Sequence, residues 1–211
     1  MGWNQIVQEF ITGVQQTQWY EYVAVIAGIA SVAFSRSENV LVYPVGLINT
    51  ILYIYLSFQG GLLGEATVNL YYTIMSIYGW ILWTRRGANA APLLHVTFAS
   101  RKEWIQHLAF FAFFYLAIYF SLIYLKKAFI PGAIPWADAL ASASAFTGMW
   151  LMAKKKVESW IWWIITNMAS IPLYFVKHYV VTSVYYIILL VMAVFGLITW
   201  IRKAKQEAHA Y

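Results

Sequence analysis

Two stretches of this chain spell one module, and a module written twice restricts the fold to architectures with an internal axis. Gly46-Leu47-Ile48-Asn49-Thr50-Ile51 lies over Ile164-Ile165-Thr166-Asn167-Met168-Ala169. Each apolar run carries one Asn, passes a short polar break, and continues through a second apolar run to an aromatic-Gly-x-x-x-Trp ending followed by basic residues. Those endings are Tyr78-Gly79-Trp80-Ile81-Leu82-Trp83 before Arg85-Arg86, and Phe195-Gly196-Leu197-Ile198-Thr199-Trp200 before Arg202-Lys203. The offset is 118 at the Asn and 117 at the Gly and Trp, a one-residue slip expected in the connecting loop.

The solvent for this module is lipid. The chain is 62% hydrophobic and 10% charged, against roughly 25% charged in a soluble domain. Its 211 residues leave no room for a soluble domain beside the spans, so a single membrane domain over 1–211 is expected. With no cysteine, disulfides and thiolate metal sites are excluded. A net charge of +6 would suit nucleic acid, but the basic residues sit between apolar runs, where they orient the chain in a bilayer. The lipid bilayer is therefore the expected partner, with no nucleic acid. Met1-Gly2-Trp3-Asn4-Gln5 lacks a basic n-region and cleavage site, so the first span is expected to act as its own uncleaved signal.

A helix needs about 20 mostly apolar residues to cross the hydrocarbon. Seven segments qualify: 20–35, 40–58, 63–83, 104–125, 137–153, 160–177 and 180–201. The first and fifth are short and rich in Ala, Gly and Ser, which suits close helix packing. Residues 3–17 read as an amphipathic or irregular lead-in. Seven spans place Arg36, Arg85, Arg86, Arg101, Lys102, Lys154, Lys155, Lys156, Arg202, Lys203 and Lys205 on one side, eleven in all, against Lys126, Lys127 and Lys177 on the other. The positive-inside bias puts the N-terminus outside and the C-terminus in the cytoplasm. The spans parse as three, one and three: a first three-helix repeat over 20–83, a linking inversion helix over 104–125 and a second repeat over 137–201. The linker lets both repeats face the same way and should be the most peripheral span. The fold class expected is thus all-α integral membrane, seven transmembrane helices in a 3+1+3 parallel repeat, SWEET-like.

No span has a Lys, Arg or carboxylate near its middle, where coupled carriers usually handle charge. An uncoupled facilitator is expected. His95, His107, His178 and His209 show no metal spacing, and no Ser-His-Asp set arises, so neither a metal, a cofactor nor an enzyme is implied. Amide, hydroxyl and aromatic groups remain at depth. A mid-span Asn reads either as an interhelical hydrogen bond or as a substrate contact, and the recurrence of Asn49 and Asn167 at matching positions brings the second level with the first, with Asn69 adding to it. Asn69, ten residues before Gly79, has Tyr186 at the matching position before Gly196. Trp80, Trp83 and Trp200, beside basic residues, read as an interfacial belt. Trp160, Trp163 and Asn167 stand at i, i+3 and i+7 on one helical face, an aromatic wall beside an amide that suits a flat, polar, cationic heterocycle. Pro44 and Pro172 fall in the Asn-bearing helices as kinks or hinges.

The runs Gly46-Leu47-Ile48-Asn49, Ile77-Tyr78-Gly79-Trp80, Trp163-x-x-x-Asn167 and Tyr186-Ile187-Ile188-Leu189, with Trp136-x-Asp138 opening the fifth span, resemble the PnuC family of bacterial vitamin transporters. The resemblance runs from Glu21 to about Arg202 and is weakest around the fourth span. It implies a full-length SWEET-like fold assembled as a homotrimer in the bacterial inner membrane. It also implies uptake of nicotinamide riboside by facilitated diffusion, trapped through phosphorylation by a separate soluble cytoplasmic kinase. Carried over by position, substrate contacts centre on Asn49, Asn69, Trp163, Asn167 and Tyr186, with Trp160 added from the shared helix face. The family includes relatives specific for thiamine and for riboflavin. This chain has Asn69 where the nicotinamide riboside type commonly has Gln, and Phe195 where some have Asn. Thiamine is therefore the alternative vitamin, and a SWEET-type sugar facilitator the alternative of the same architecture.

Overall fold

A computed structural model of the chain describes residues 2–59, 63–87, 92–129 and 133–208. His209 lies outside them. Among the described residues the structure is helical: α1 (Trp3–Gln16), α2 (Trp19–Arg36), α3 (Val42–Gln59), α4 (Leu63–Thr84), α5 (Arg101–Phe129), α6 (Pro135–Ala153), α7 (Ser159–Val176) and α8 (Val180–Ala208). The seven helices α2–α8 coincide with the seven apolar segments to within a few residues at most ends. By length and apolarity alone, three described segments are fit to cross a membrane, namely α3, residues 101–124 of α5, and α8. The others fall short for a physical reason visible in α2 and α6. Their Ala, Gly and Ser lower hydropathy while letting backbones approach, and twelve α6 residues from Ala137 to Ala153 are buried.

The helices close into a ring. α3 packs between α2 and α4, α7 packs between α6 and α8, and the two triplets meet at an α4·α6 seam and an α2·α8 seam. α5 lies outside the ring, packed chiefly on α6, with Ile105, Phe113 and Phe120 exposed. α1 is an amphipathic helix whose Gly13 abuts Val181 of α8 and whose Glu9 pairs with His178 at 3.1 Å. Pro44 occupies the first turn of α3, where a missing N–H costs nothing. Pro172 is interior to α7 and removes one helical hydrogen bond there.

One end of the ring, which carries Arg36, Lys154–Lys156 and Lys203, is sealed by two matching contacts offset by 117 positions. Tyr43 of α3 lies against Gly79 of α4, while Trp160 of α7 lies against Gly196 of α8; a Cβ at either glycine would come within 2.5 Å of the ring it faces. Tyr43 meets Trp83 edge-on at 5.1 Å and Trp160 meets Trp200 edge-on at 5.5 Å. Each Trp then reaches across: Trp83 Nε1 donates to Ala153 O and Trp200 Nε1 donates to Arg36 O, both at 3.2 Å. Trp83 and Trp200 are therefore not an interfacial belt, being 4% and 0% exposed. Basic neighbours misled that reading, because the same Lys and Arg flank an internal plug. Trp80, at 38% exposure, remains on the surface.

The segment before α5 is clipped over this basic end. Thr97 N–H donates to Lys155 O, and Val157 N–H donates back to Thr97 O at 3.1 Å. Ala99 N–H donates to both Glu158 carboxylate oxygens at 2.9 Å, and Val96 is fully buried.

Candidate functional site

The ring's interior, between the sealed end and the opposite end, is lined by aromatic and amide side chains from four helices, α3, α4, α7 and α8. Asn49 of α3 donates its amide N–H to Ala24 O of α2 at 2.7 Å, so part of its hydrogen-bonding capacity serves helix packing. Its Nδ2 also stands 2.9 Å from where a Cβ would sit on Gly28, a place crowded as well by the Tyr185 hydroxyl from α8. Gly28 is thus the small residue that lets α2, α3 and α8 bring an amide and a phenol together.

Asn167 of α7 is 3% exposed, and no side-chain hydrogen bond reaches it among the described residues. Its amide atoms are nonetheless not among the fully buried polar atoms that lack a partner, so water reaches them and both a donor and an acceptor are free to meet a polar ligand. One turn on, Ser170 lies close to the Tyr186 hydroxyl, and the Tyr174 and Tyr186 rings stack at 5.2 Å and 15°. One turn back, Trp163 faces Tyr72 of α4 at 6.1 Å, with Gly148 of α6 leaving room behind its indole. Trp163, Asn167 and Ser170 form one stripe of α7, at spacings of four and three.

Asn69 of α4 is half-buried, its amide donating to Glu65 O within its own helix at 2.9 Å. Thr73 Oγ1 donates to Asn69 O at 2.9 Å and lies 3.0 Å from Thr50 Oγ1 of α3. Trp160 belongs elsewhere. It is 1% exposed within the plug, because seven residues of helix carry it about 10 Å along the axis from Asn167. A shared helical face does not imply a shared depth. The expected slip in the connecting loop is also absent, since Tyr43 and Trp160, on the same helices as the two Asn residues, already hold the 117 offset. By that register Thr50, not Asn49, corresponds to Asn167.

Five residues of this interior were missed by sequence reasoning: Tyr53, Tyr72, Tyr174, Tyr185 and Glu65. Glu65 lies near enough to Tyr53, Tyr174 and Tyr186 to act on each electrostatically. The Tyr71-Tyr72 and Tyr185-Tyr186 doublets, in the third helix of each triplet, were the available signal. Two open grooves lie on the outer surface instead. One, on α2 and α8, is lined by Val32, Arg36 and Phe195; the other, on α2 and α3, by Trp19, Leu47 and Ile51.

The chain is similar to the nicotinamide riboside transporter PnuC of Escherichia coli strain K12, with 24% identity covering 92% of this chain and 90% of that one. It is as similar, at 24%, to the riboflavin/roseoflavin transporter RibM of Streptomyces davaonensis, over 95% and 93% of the two chains. Its fold matches a crystal structure of the vitamin B3 transporter PnuC with a TM-score of 0.71 at 23% identity, over 95% of this chain and 88% of that one. The family model described as nicotinamide mononucleotide transporter matches residues 18–202. With that match spanning the whole ring from α2 into α8, the chain belongs to the nicotinamide mononucleotide transporter family, as a multi-pass helical membrane transporter.

Proposed function

We propose that this protein carries nicotinamide riboside across the bacterial inner membrane by facilitated diffusion. The observation that carries the reading is the partnerless Asn167 amide beside Trp163, Tyr72 and the stacked Tyr174–Tyr186 pair. A flat heterocycle bearing a carboxamide supplies a π-face for the rings and both a donor and an acceptor for the amide. The relatives named as nicotinamide riboside transporters support the same substrate.

In this reading α2–α8 are seven spans, with the N-terminus outside and the basic end in the cytoplasm. α2–α4 and α6–α8 are parallel repeats about an axis normal to the membrane, and α5 is the inverting linker. The contacts between residues 117 apart support that axis. Asn49, Asn69, Trp163, Asn167 and Tyr186 are the substrate residues; Trp160 is reassigned to the plug. The protein is not an enzyme. A soluble cytoplasmic kinase traps the substrate, and the exposed apolar face of α5 is available for a homotrimer.

Riboflavin is the second reading, favoured by the equal similarity to the riboflavin/roseoflavin transporter. Binding calorimetry on purified protein with nicotinamide riboside, thiamine and riboflavin tests all three vitamins. Binding of riboflavin alone would replace the proposed substrate, and binding of a hexose alone would replace the vitamin class.

A further inference from the structure

The end of the ring opposite the plug is acidic. Glu21, Glu65 and Asp138 occupy the first turns of α2, α4 and α6, and Lys177 is the lysine beside them among the described side chains. Asp138 neutralises that lysine at 2.7 Å while its second oxygen accepts the Ile134 N–H at 2.6 Å. Glu65 has no such arrangement. Among the described residues no ion pair reaches its carboxylate, and Lys177 acts on it at longer range. By contrast, at the basic end Glu38 and Glu103 each hold a lysine within ion-pair distance.

Its placement is inward. Glu65, Asn69 and Tyr72 stand at i, i+4 and i+7, one stripe of α4 that descends from the acidic end to the ring facing Trp163. Solvent reaches Glu65, yet its electrostatic neighbours are Tyr53 of α3, Tyr174 of α7 and Tyr186 of α8. A carboxylate without a cation at ion-pair distance among the described residues thus stands at the end of the stripe that leads to Tyr72 and Trp163. Low-dielectric walls concentrate the field of such a charge on whatever enters.

Resting on the transport reading above, we propose that Glu65 is the cation-selecting residue of this site: it draws in a flat monocationic heterocycle, such as an N-substituted pyridinium, and discriminates against neutral rings of similar size. A carboxylate in a first helical turn also stabilises the helix dipole, but that role is blind to ligand charge.

The test is calorimetry in low salt with nicotinamide riboside and its uncharged 1,4-dihydro form, ligands of the same shape that differ in ring charge. Wild-type protein should prefer the cation, and the preference should shrink as salt is raised. Glu65→Gln should weaken cation binding about tenfold while changing the neutral form less than about twofold; Glu65→Asp should keep the preference. Equal wild-type affinities for the two forms, or a parallel loss of both in Glu65→Gln, would overturn the assignment of Glu65 alone. Wild-type protein that binds neither form would overturn the transport reading together with it.

Discussion

Glu38 and Lys155 stand 117 positions apart, share a left-handed backbone with φ of 55° and 52°, and form a 2.8 Å ion pair with both side chains 9% exposed. They occupy corresponding turns, one between α2 and α3 and one between α6 and α7, and Lys203 of α8 closes on the same carboxylate. Beneath them Ser35 Oγ donates to Met152 Sδ at 2.9 Å, again a pair 117 apart. In the proposed repeat, corresponding residues touch directly only where they approach the axis relating them, so this pair lies beside it and latches the basic end.

Removing Lys155 takes one of two cations from the Glu38 carboxylate, which keeps Lys203, so the cost should fall below the ~3–5 kcal/mol of a fully stranded buried charge. Lys155→Asn tests this with least backbone disturbance, because Asn tolerates the left-handed conformation. We expect lower thermal stability in detergent. A cysteine replacing the buried Ser35 should become reactive to maleimide in this background and stay protected without it. Equal reactivity in both backgrounds would mean that the pair does not hold the end shut.

The latch should also weaken in acid. Burial pushes the Glu38 carboxyl up, but the bonds and charges of Lys155 and Lys203 outweigh it and hold the group below its ordinary value of 4.5. A carboxyl depressed in the folded state contributes its full stabilisation above the unfolded value and loses it as pH falls through the folded one. Thermal stability should therefore decline below pH 4.5, and the decline should be smaller in Glu38→Gln. An unchanged acid profile in that variant would place the titrating group elsewhere.

Asn167→Ala and Trp163→Ala should each weaken nicotinamide riboside binding by about 1–3 kcal/mol, through a lost hydrogen bond and lost ring contact respectively. Trp160→Ala should instead destabilise the fold by about 3–5 kcal/mol, as a cavity in the plug. Calorimetry and thermal melts on the three variants separate these outcomes. A Trp160 variant that melts normally but loses affinity would restore that residue to the site.

Glycines in the plug have no tolerance for a methyl group. Gly196→Ala would bring Cβ to 2.5 Å from the Trp160 ring, and Gly79→Ala would do the same to Tyr43. Both should lower stability by about 1–3 kcal/mol, to a similar extent if the two positions are equivalent. Melting curves that differ widely would show that the equivalence is one of sequence alone.

The cysteine-free chain makes orientation measurable. Single cysteines at Thr17 and Gln206 should label from outside and inside respectively with an impermeant reagent. Labelling of both from one side would remove the seven-span arrangement.

Much of this fold was legible because lipid imposes a length and an apolarity on each span, so segments 20–35 to 180–201 anticipated α2–α8. The repeat was legible because the Gly79 and Gly196 neighbourhoods recur as strings. Depth was not. Trp160 shares a helical face with Asn167 yet lies about two turns away, and periodicity carries no information about which turn faces the chamber. Belt and plug tryptophans share the same basic neighbours, so Trp83 and Trp200 could be separated from Trp80 only by tertiary contacts. Glu65 was passed over because its position at a span end reads as a solvated charge. It takes three other helices to turn that end into a mouth.

The two seams of the ring are unlike. At the α4·α6 seam Tyr71 stacks on Phe146 at 4.1 Å and donates to Phe146 O at 3.0 Å, with Phe114 of α5 laid edge-on against Phe146. The α2·α8 seam, where Arg36 Nε donates to Thr199 Oγ1 at 3.1 Å, is crossed by the short α1, which meets α8 at Gly13–Val181 and α2 where the Tyr22 hydroxyl donates to Val14 O at 2.7 Å. A ring splinted along one seam by the 29-residue α5 and crossed at the other by the 14-residue α1 separates along the lighter seam first. The molecule is built like a book, with α5 as its binding and α2 and α8 as the fore-edge, so a substrate leaving the chamber meets a wedge that widens in one direction.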